Sequence, residues 1–304
     1  MADVLLRAGV LLCTVALGYA LKCAGLFGKM DYRIVSRIVL NVTLPAAVIT
    51  SFSTATRDPA LFIIVPLGLG CCLAAFFLAM VYSRRMSRED RVFYMLNVPG
   101  YNIGCATLPF AQGFLGPTGV VATCMFDIGN AVMVSGGAYA LTAAVTGKRS
   151  EPMARMVAKR LLSSALFDTY FIAFVLMVFQ IPLPEPIVQF AQNAGAANTF
   201  LAMFMIGLMM EFPKTPDQLS RALHTLALRY GIAVVLALAG WFLLPMGVEV
   251  RRAIVLAVFS SISTLAPVFT DKLGGDAALA GMTNSVSIPI SLLIMTGLLI
   301  AFGL

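Results

Sequence analysis

Apolar residues run along this chain in long blocks separated by short polar or basic breaks. Reading the breaks gives ten blocks, at 3–22, 34–53, 61–83, 91–114, 118–146, 161–181, 190–211, 219–243, 250–271 and 276–303. Each is near or above the ~20 residues a helix needs to cross a hydrocarbon core of about 30 Å. The pattern predicts an all-α integral membrane protein of ten transmembrane helices. Two blocks are interrupted. The fourth carries Asn97-Val98-Pro99-Gly100-Tyr101-Asn102-Ile103-Gly104 and then Pro109; the ninth carries Ser260-Ser261-Ile262-Ser263-Thr264-Leu265-Ala266-Pro267. Proline removes a backbone donor and glycine weakens a helix further. Freed backbone groups inside a bilayer are tolerated only where protein or a watery cavity satisfies them.

The interruptions are related by a shift. Pro109 stands six residues before Leu115-Gly116, and Pro267 stands six before Leu273-Gly274, an offset of 267 − 109 = 158. Adding that offset to the first five blocks lands within a few residues of the last five. Five is odd, so the second unit enters the membrane from the opposite side, which makes the repeat inverted. The expected organisation is a first five-helix repeat over 1–146, a basic linker over 147–160 and a second repeat over 161–304. Paired broken segments in two such halves are a sequence pointer to a transporter's binding site.

Charge orients this arrangement. With the N-terminus outside, the inner segments hold seventeen of the 21 Lys and Arg, and the outer ones hold only Arg7, Arg57, Arg251 and Arg252. Cytoplasmic loops carry such an excess, so both termini are expected to be extracytoplasmic. On this count Arg221 and Arg229 fall at the inner end of the eighth span, and no Lys or Arg lies deep within a span. The formal charge of +7 therefore reads as orientation, with no nucleic-acid partner. Sixty percent hydrophobic residues, 12% charged and a mean hydropathy of +0.93 agree with a lipid-bilayer protein. The first block lacks a small-x-small cleavage site and reads as a retained helix, not a signal peptide. The six cysteines show no metal-ligand spacing, and no resident cofactor is expected.

Where two broken helices cross, half-helix N-termini can direct partial positive charge at an anion. The candidate substrate residues are Asn102, Thr107 and Pro109 on the first segment and Ser260, Ser263, Thr264 and Pro267 on the second. Asp127 is the most conspicuous acid inside a span, and an intramembrane charge is costly enough to suggest a role. With Asn130 it is a candidate for coupling to a proton or to sodium. Asn41, beside Pro45 in the second span, and Asn284 in the tenth are secondary candidates. Ser and Thr often bond their own helix backbone, which is the plainer alternative for the hydroxyls.

The run Asn102-Ile103-Gly104-Cys105-Ala106-Thr107-Leu108-Pro109-Phe110 with Leu115-Gly116 resembles the crossover helix of the auxin efflux carrier family. Ala266-Pro267-Val268-Phe269 with Lys272-Leu273-Gly274 resembles its symmetric partner. Asn193-Ala194-Gly195 followed by Leu201-Ala202-Met203-Phe204-Met205-Ile206-Gly207-Leu208 is similar to the seventh helix, and Leu40-Asn41-Val42-Thr43-Leu44-Pro45-Ala46 to the second. The resemblance covers essentially the whole chain. It implies a ten-helix inverted repeat, small organic carboxylate substrates and elevator-type alternating access at a proline crossover. It also implies a homodimer, as in the plant members. An Asn seven residues before the first crossover proline contacts the substrate carboxylate there, and Asn102 holds that position. The symmetric position is Ser260, whose hydroxyl offers one donor where an amide offers two. The plant carriers place an acid and a lysine in the third helix; residues 61–83 carry no charge, so aromatic auxin specificity does not transfer. The long plant loop is absent too, which points to a compact bacterial-type carrier of an inner membrane, with dicarboxylates such as malate or malonate as candidate substrates.

An enzyme is not expected: one histidine excludes a His-Glu-x-x-His zinc site, and no Gly-x-Ser-x-Gly elbow is present. The sequence thus predicts a secondary carrier of organic anions. A sodium-coupled symporter of the bile-acid type, which shares the inverted repeat and crossover, is the runner-up, and a channel the third reading.

Overall fold

The computed structural model describes residues 2–28, 30–54, 58–148, 152–212 and 215–303. Lys29, Arg57, Arg149 and Lys214, four of the cations in the charge count, lie outside the described residues. The described chain is helical: α1 (Ala2–Cys23), α2 (Tyr32–Ile38), α3 (Leu44–Thr54), α4 (Ile64–Tyr82), α5 (Arg88–Asn97), α6 (Leu108–Phe114), α7 (Pro117–Val132), α8 (Ala138–Val145), α9 (Met153–Leu161), α10 (Ala165–Phe179), α11 (Glu185–Ala196), α12 (Asn198–Met209), α13 (Pro216–Leu243), α14 (Val248–Val258), α15 (Ala266–Leu273) and α16 (Ala277–Ala301). Polar side chains start several of them. Ser87, Ser164, Thr215 and Asp276 accept from the free N–H groups of Asp90, Phe167, Gln218 and Leu279, each satisfying one orphan donor of a first turn.

Six stretches among the described residues are long and apolar enough to cross a membrane: Val4–Cys23, Tyr32–Thr54, Ala60–Tyr82, Pro117–Val145, Pro216–Leu243 and Ala277–Ala301. They match the first, second, third, fifth, eighth and tenth expected blocks. The expected sixth block holds α10, while the expected linker over 147–160 is itself largely helical as α9, turned 79° away from α10. The fourth, seventh and ninth are each divided into two shorter helices, α5 and α6, α11 and α12, α14 and α15. Leu6, Phe171, Phe179, Val235 and Phe242 point outward and are exposed, as expected of a surface solvated by lipid.

Small residues set the closest helix contacts. A Cβ on Gly68 of α4 would run into the Phe126 carbonyl of α7, and one on Gly129 of α7 into the Val65 carbonyl at the start of α4. Gly18 of α1 and Gly207 of α12 face each other the same way, against the backbone of Phe204 and Val15. Where lipid gives no hydrophobic drive between helices, close backbone approach supplies the packing energy. The α4–α7 contact has a second effect: it fixes the face of α7 that carries Asp127 and Asn130.

Candidate functional site

The two interruptions meet. After α5 the chain leaves helical geometry at Pro99 and Gly100, whose φ of +81° suits glycine alone. Tyr101 then pairs antiparallel with Ile262 of the segment between α14 and α15, and the Asn102 N–H donates to the Ser261 carbonyl at 3.0 Å. After the first break the chain resumes as a π-helical turn (Ile103–Thr107) that runs into α6, with Pro109 following it; after the second it resumes as α15, whose first turn holds Pro267. In a first turn the missing N–H of Pro267 breaks no bond. Both breaks therefore lie before the prolines, and Pro267 stands where a helix restarts.

Side chains of α7 and α16 stand in for strand partners. Asn130 receives the Tyr101 N–H at 2.9 Å and donates to the Tyr101 carbonyl at 2.8 Å. Its amide also donates to Asp127 at 2.9 Å, whose other oxygen accepts from the Tyr170 hydroxyl of α10 at 2.9 Å. On the second segment Ser287 accepts from the Ile262 N–H at 3.1 Å and Asn284 donates to the Ser263 carbonyl at 3.2 Å. Asp127 and Asn130, read from sequence as coupling-ion candidates, thus engage each other and hold the backbone of the first break.

Arg229 corrects an expectation. It is the midpoint of α13 and only 2% exposed, not a cation at a helix end. Its guanidinium donates to the Val98 carbonyl of one break and to the Ser260 and Ser261 carbonyls of the other, the last two at 3.0 and 3.1 Å. It also lies 4.9 Å from the centre of the Tyr101 ring, within cation–π range. Among the described residues no carboxylate bonds it. The charge is shared among carbonyl dipoles that the breaks have freed.

On the two interrupted segments several buried polar atoms lack a hydrogen-bond partner: Asn102 Nδ2, Thr107 Oγ1, Ser260 Oγ and Ser261 Oγ. Leaving such groups unpaired costs about 1–3 kcal/mol each. Ser263 is buried and accepts from the Leu265 N–H at 3.3 Å, while Thr264 is half-buried. The structure therefore ties Asn102, Ser260, Ser263 and Asn284 to one junction, with Thr107 and Thr264 farther along the same two segments. It does not bring Asn41 there: that side chain is exposed on a π-helical turn (Val39–Thr43) and donates to the Arg37 carbonyl at 2.8 Å. Sequence reasoning missed Arg229, Ser261 and a buried relay in which Thr43 donates to Asn198 at 3.1 Å and Asn198 to Gln112 of α6 at 3.4 Å.

No family model matches this sequence. An "uncharacterized transporter" of Methanothermobacter thermautotrophicus (strain Delta H) is 28% identical over 152 residues, 48% of this chain and 50% of that protein. The chain spans about half the length of the curated relative it matches. The apolar helices suit an integral membrane protein.

Proposed function

We propose that the chain is a secondary carrier of small organic carboxylates of the auxin efflux carrier type. In this reading it holds ten spans as two inverted repeats, works by elevator-type alternating access and sits as a homodimer in an inner membrane with both termini outside. The observation that carries the proposal is the junction of the two breaks, where a buried guanidinium engages three backbone carbonyls and where Asn102, Thr107, Ser260 and Ser261 of the same two segments each carry a buried polar atom without a partner. A carboxylate would satisfy those donors with charge-assisted hydrogen bonds and balance the cation, both at once.

The pairing supports the inverted repeat. Under the offset of 158, exchange of the halves carries the bonded pair Asn102–Ser261 onto Ser260–Ile103, the next pair in the same antiparallel register. A pseudo-twofold axis between them fits that geometry.

Arg229 bears on coupling. A dehydrated sodium ion at the crossover would need carbonyl oxygens, and the guanidinium already engages those of Val98, Ser260 and Ser261. A fixed cation there also repels a second one. We read it as a tethered substitute for a coupling ion, which favours a sodium-independent carrier over the bile-acid type.

The test is flux into proteoliposomes against a panel of mono- and dicarboxylates, with and without sodium or a pH gradient. A saturable carboxylate flux that Asn102→Ala weakens is the expected result. Absence of flux for every carboxylate, or a mutant that transports normally, overturns the proposal.

A further inference from the structure

A second basic concavity opens beside the second break, with Leu265 in its wall. Between α9, the chain at Ser135–Tyr139 and α15 is a cavity of about 740 Å³, into which Lys159, Arg160 and Lys272 face together with Ser135, Ser163 and Ser164. No carboxylate lines it among the described residues, and none of the three cations has an ion-pair partner there. Its walls are built and fixed. Gly136 has a φ of +150°, and a Cβ on it would come within 3.1 Å of Met156, so the glycine lets α9 dock. Arg160 is held with its guanidinium 4.6 Å from the Phe269 ring centre, and that ring packs 5.2 Å from Tyr139. A fourth cation, Lys148, donates to the Lys272 carbonyl at 2.5 Å.

Like charges lining one concavity repel each other, and an anion seated between them relieves that repulsion. Lys159 and Lys272 are exposed and Arg160 is half-buried, so the Arg160 guanidinium, held over Phe269, is the fixed donor and the two ammonium groups reach the same concavity from α9 and α15. We propose that this concavity is an oxyanion-binding site formed by its own cations, none of the unpartnered polar side chains of the crossover being in its lining. The chemistry fits a carboxylate or phosphate from solution, and equally the phosphate of a lipid headgroup, since basic pockets beside helix ends take both.

Pulse labelling of lysines with an amine-reactive ester, read by mass spectrometry on the full chain in nanodiscs, tests it. Lys22, whose ammonium donates to the Met210 carbonyl at 2.9 Å, is the internal reference. In neutral phosphatidylcholine, malonate or inorganic phosphate should slow labelling of Lys159 and Lys272 saturably, roughly tenfold at about ten times the half-protecting concentration. Chloride at equal ionic strength should not. Protection that instead needs phosphatidylglycerol in the disc, with no free anion, assigns the site to a lipid headgroup. Arg160→Gln should weaken either protection, and Asn102→Ala should leave it unchanged. Labelling indifferent to all three anions overturns the site, and so does protection that disappears in Asn102→Ala, because the anion would then be sensed through the crossover. The readout needs no flux, so it stands or falls separately from the transport proposal.

Discussion

Asn102→Ala separates a ligand contact from a structural prop. In the structure the Asn102 side-chain amide nitrogen is buried and has no partner, while its backbone N–H and carbonyl bind Ser261, Ala106 and Thr107. The substitution keeps those backbone bonds and breaks no bond of the amide nitrogen within the protein. Folding stability should therefore hold or rise slightly, because an unsatisfied buried donor costs about 1–3 kcal/mol and is removed. Substrate binding should suffer: a hydrogen bond to a charged group is worth about 1.5–3 kcal/mol. At 1.4 kcal/mol per decade this is roughly 10- to 150-fold in apparent affinity. Ser260→Ala, which removes a single hydroxyl donor, should lie at or below the low end of that range. The assay pairs the concentration dependence of carboxylate uptake in proteoliposomes with the thermal midpoint of the purified protein. A mutant that loses thermal stability while keeping its affinity would refute the reasoning and make Asn102 a support for the helix break.

Other perturbations follow from the same geometry. Replacing sodium by choline on both sides should leave wild-type flux unchanged; a strict sodium requirement would sink the tethered-cation reading of Arg229. Arg229→Met leaves freed carbonyls of Val98 and Ser260 unpaired at about 1–3 kcal/mol each, so its thermal midpoint should fall well below that of Asn102→Ala; equal midpoints would mean the guanidinium does not hold the junction. Tyr170→Phe takes a donor from Asp127, and in a double-mutant cycle with Asp127→Asn the two losses should fall short of additivity by about 0.5–3 kcal/mol; strict additivity would show that the 2.9 Å bond contributes nothing. Gly129→Ala forces a methyl into the α4 backbone and should destabilise by about 1–3 kcal/mol, whereas Gly70→Ala, with nothing within 4 Å, should be neutral or stabilising; equal effects would refute the close-packing account.

What was legible in the sequence follows from where the signal is written. Pro99, Gly100, Pro109 and Pro267 act on their own backbone, so the two breaks could be placed without knowing their surroundings. The continuous spans were legible for the same reason, since length and apolarity are local. The seventh block was not seen as divided, because the Ala194–Asn198 stretch contains no proline and its single glycine serves close approach to Ala47 of α3. Asn41, a polar residue near a proline, looks like a lining group in the sequence, while in the structure its amide closes onto Arg37 four residues back. Asp127 is conspicuous, yet its partner Tyr170 stands 43 positions away on α10 and gives no sign of itself.

Arg229 shows why the centre of the site escaped. A buried charge is usually traced through its opposite charge, and this one has backbone carbonyls instead. Those carbonyls belong to every residue and carry no sequence signature; what exposes them is the helix break, 131 positions away for Val98 and about 31 for Ser260. Arg221, two turns earlier on α13, does reach carboxylates, with Asp90 at 2.6 Å, so the two arginines of one helix meet different partners. The physical distinction is the acceptor. Near the polar rim a cation finds a carboxylate or water, but between two interrupted helices it finds carbonyl dipoles that have lost their helical donors. Paired breaks in an apolar chain therefore create a demand for a cation, and an arginine on a third helix can meet it as well as a bound ion can. If that demand is real, exchanging the tethered cation for an untethered one should move the ion dependence of transport: Arg229→Ser, with small side chains around the freed carbonyls, should acquire a sodium stimulation that the wild type lacks. A variant that folds and transports with no such stimulation would show that the carbonyls at the junction do not need a cation, and that Arg229 serves the anion alone.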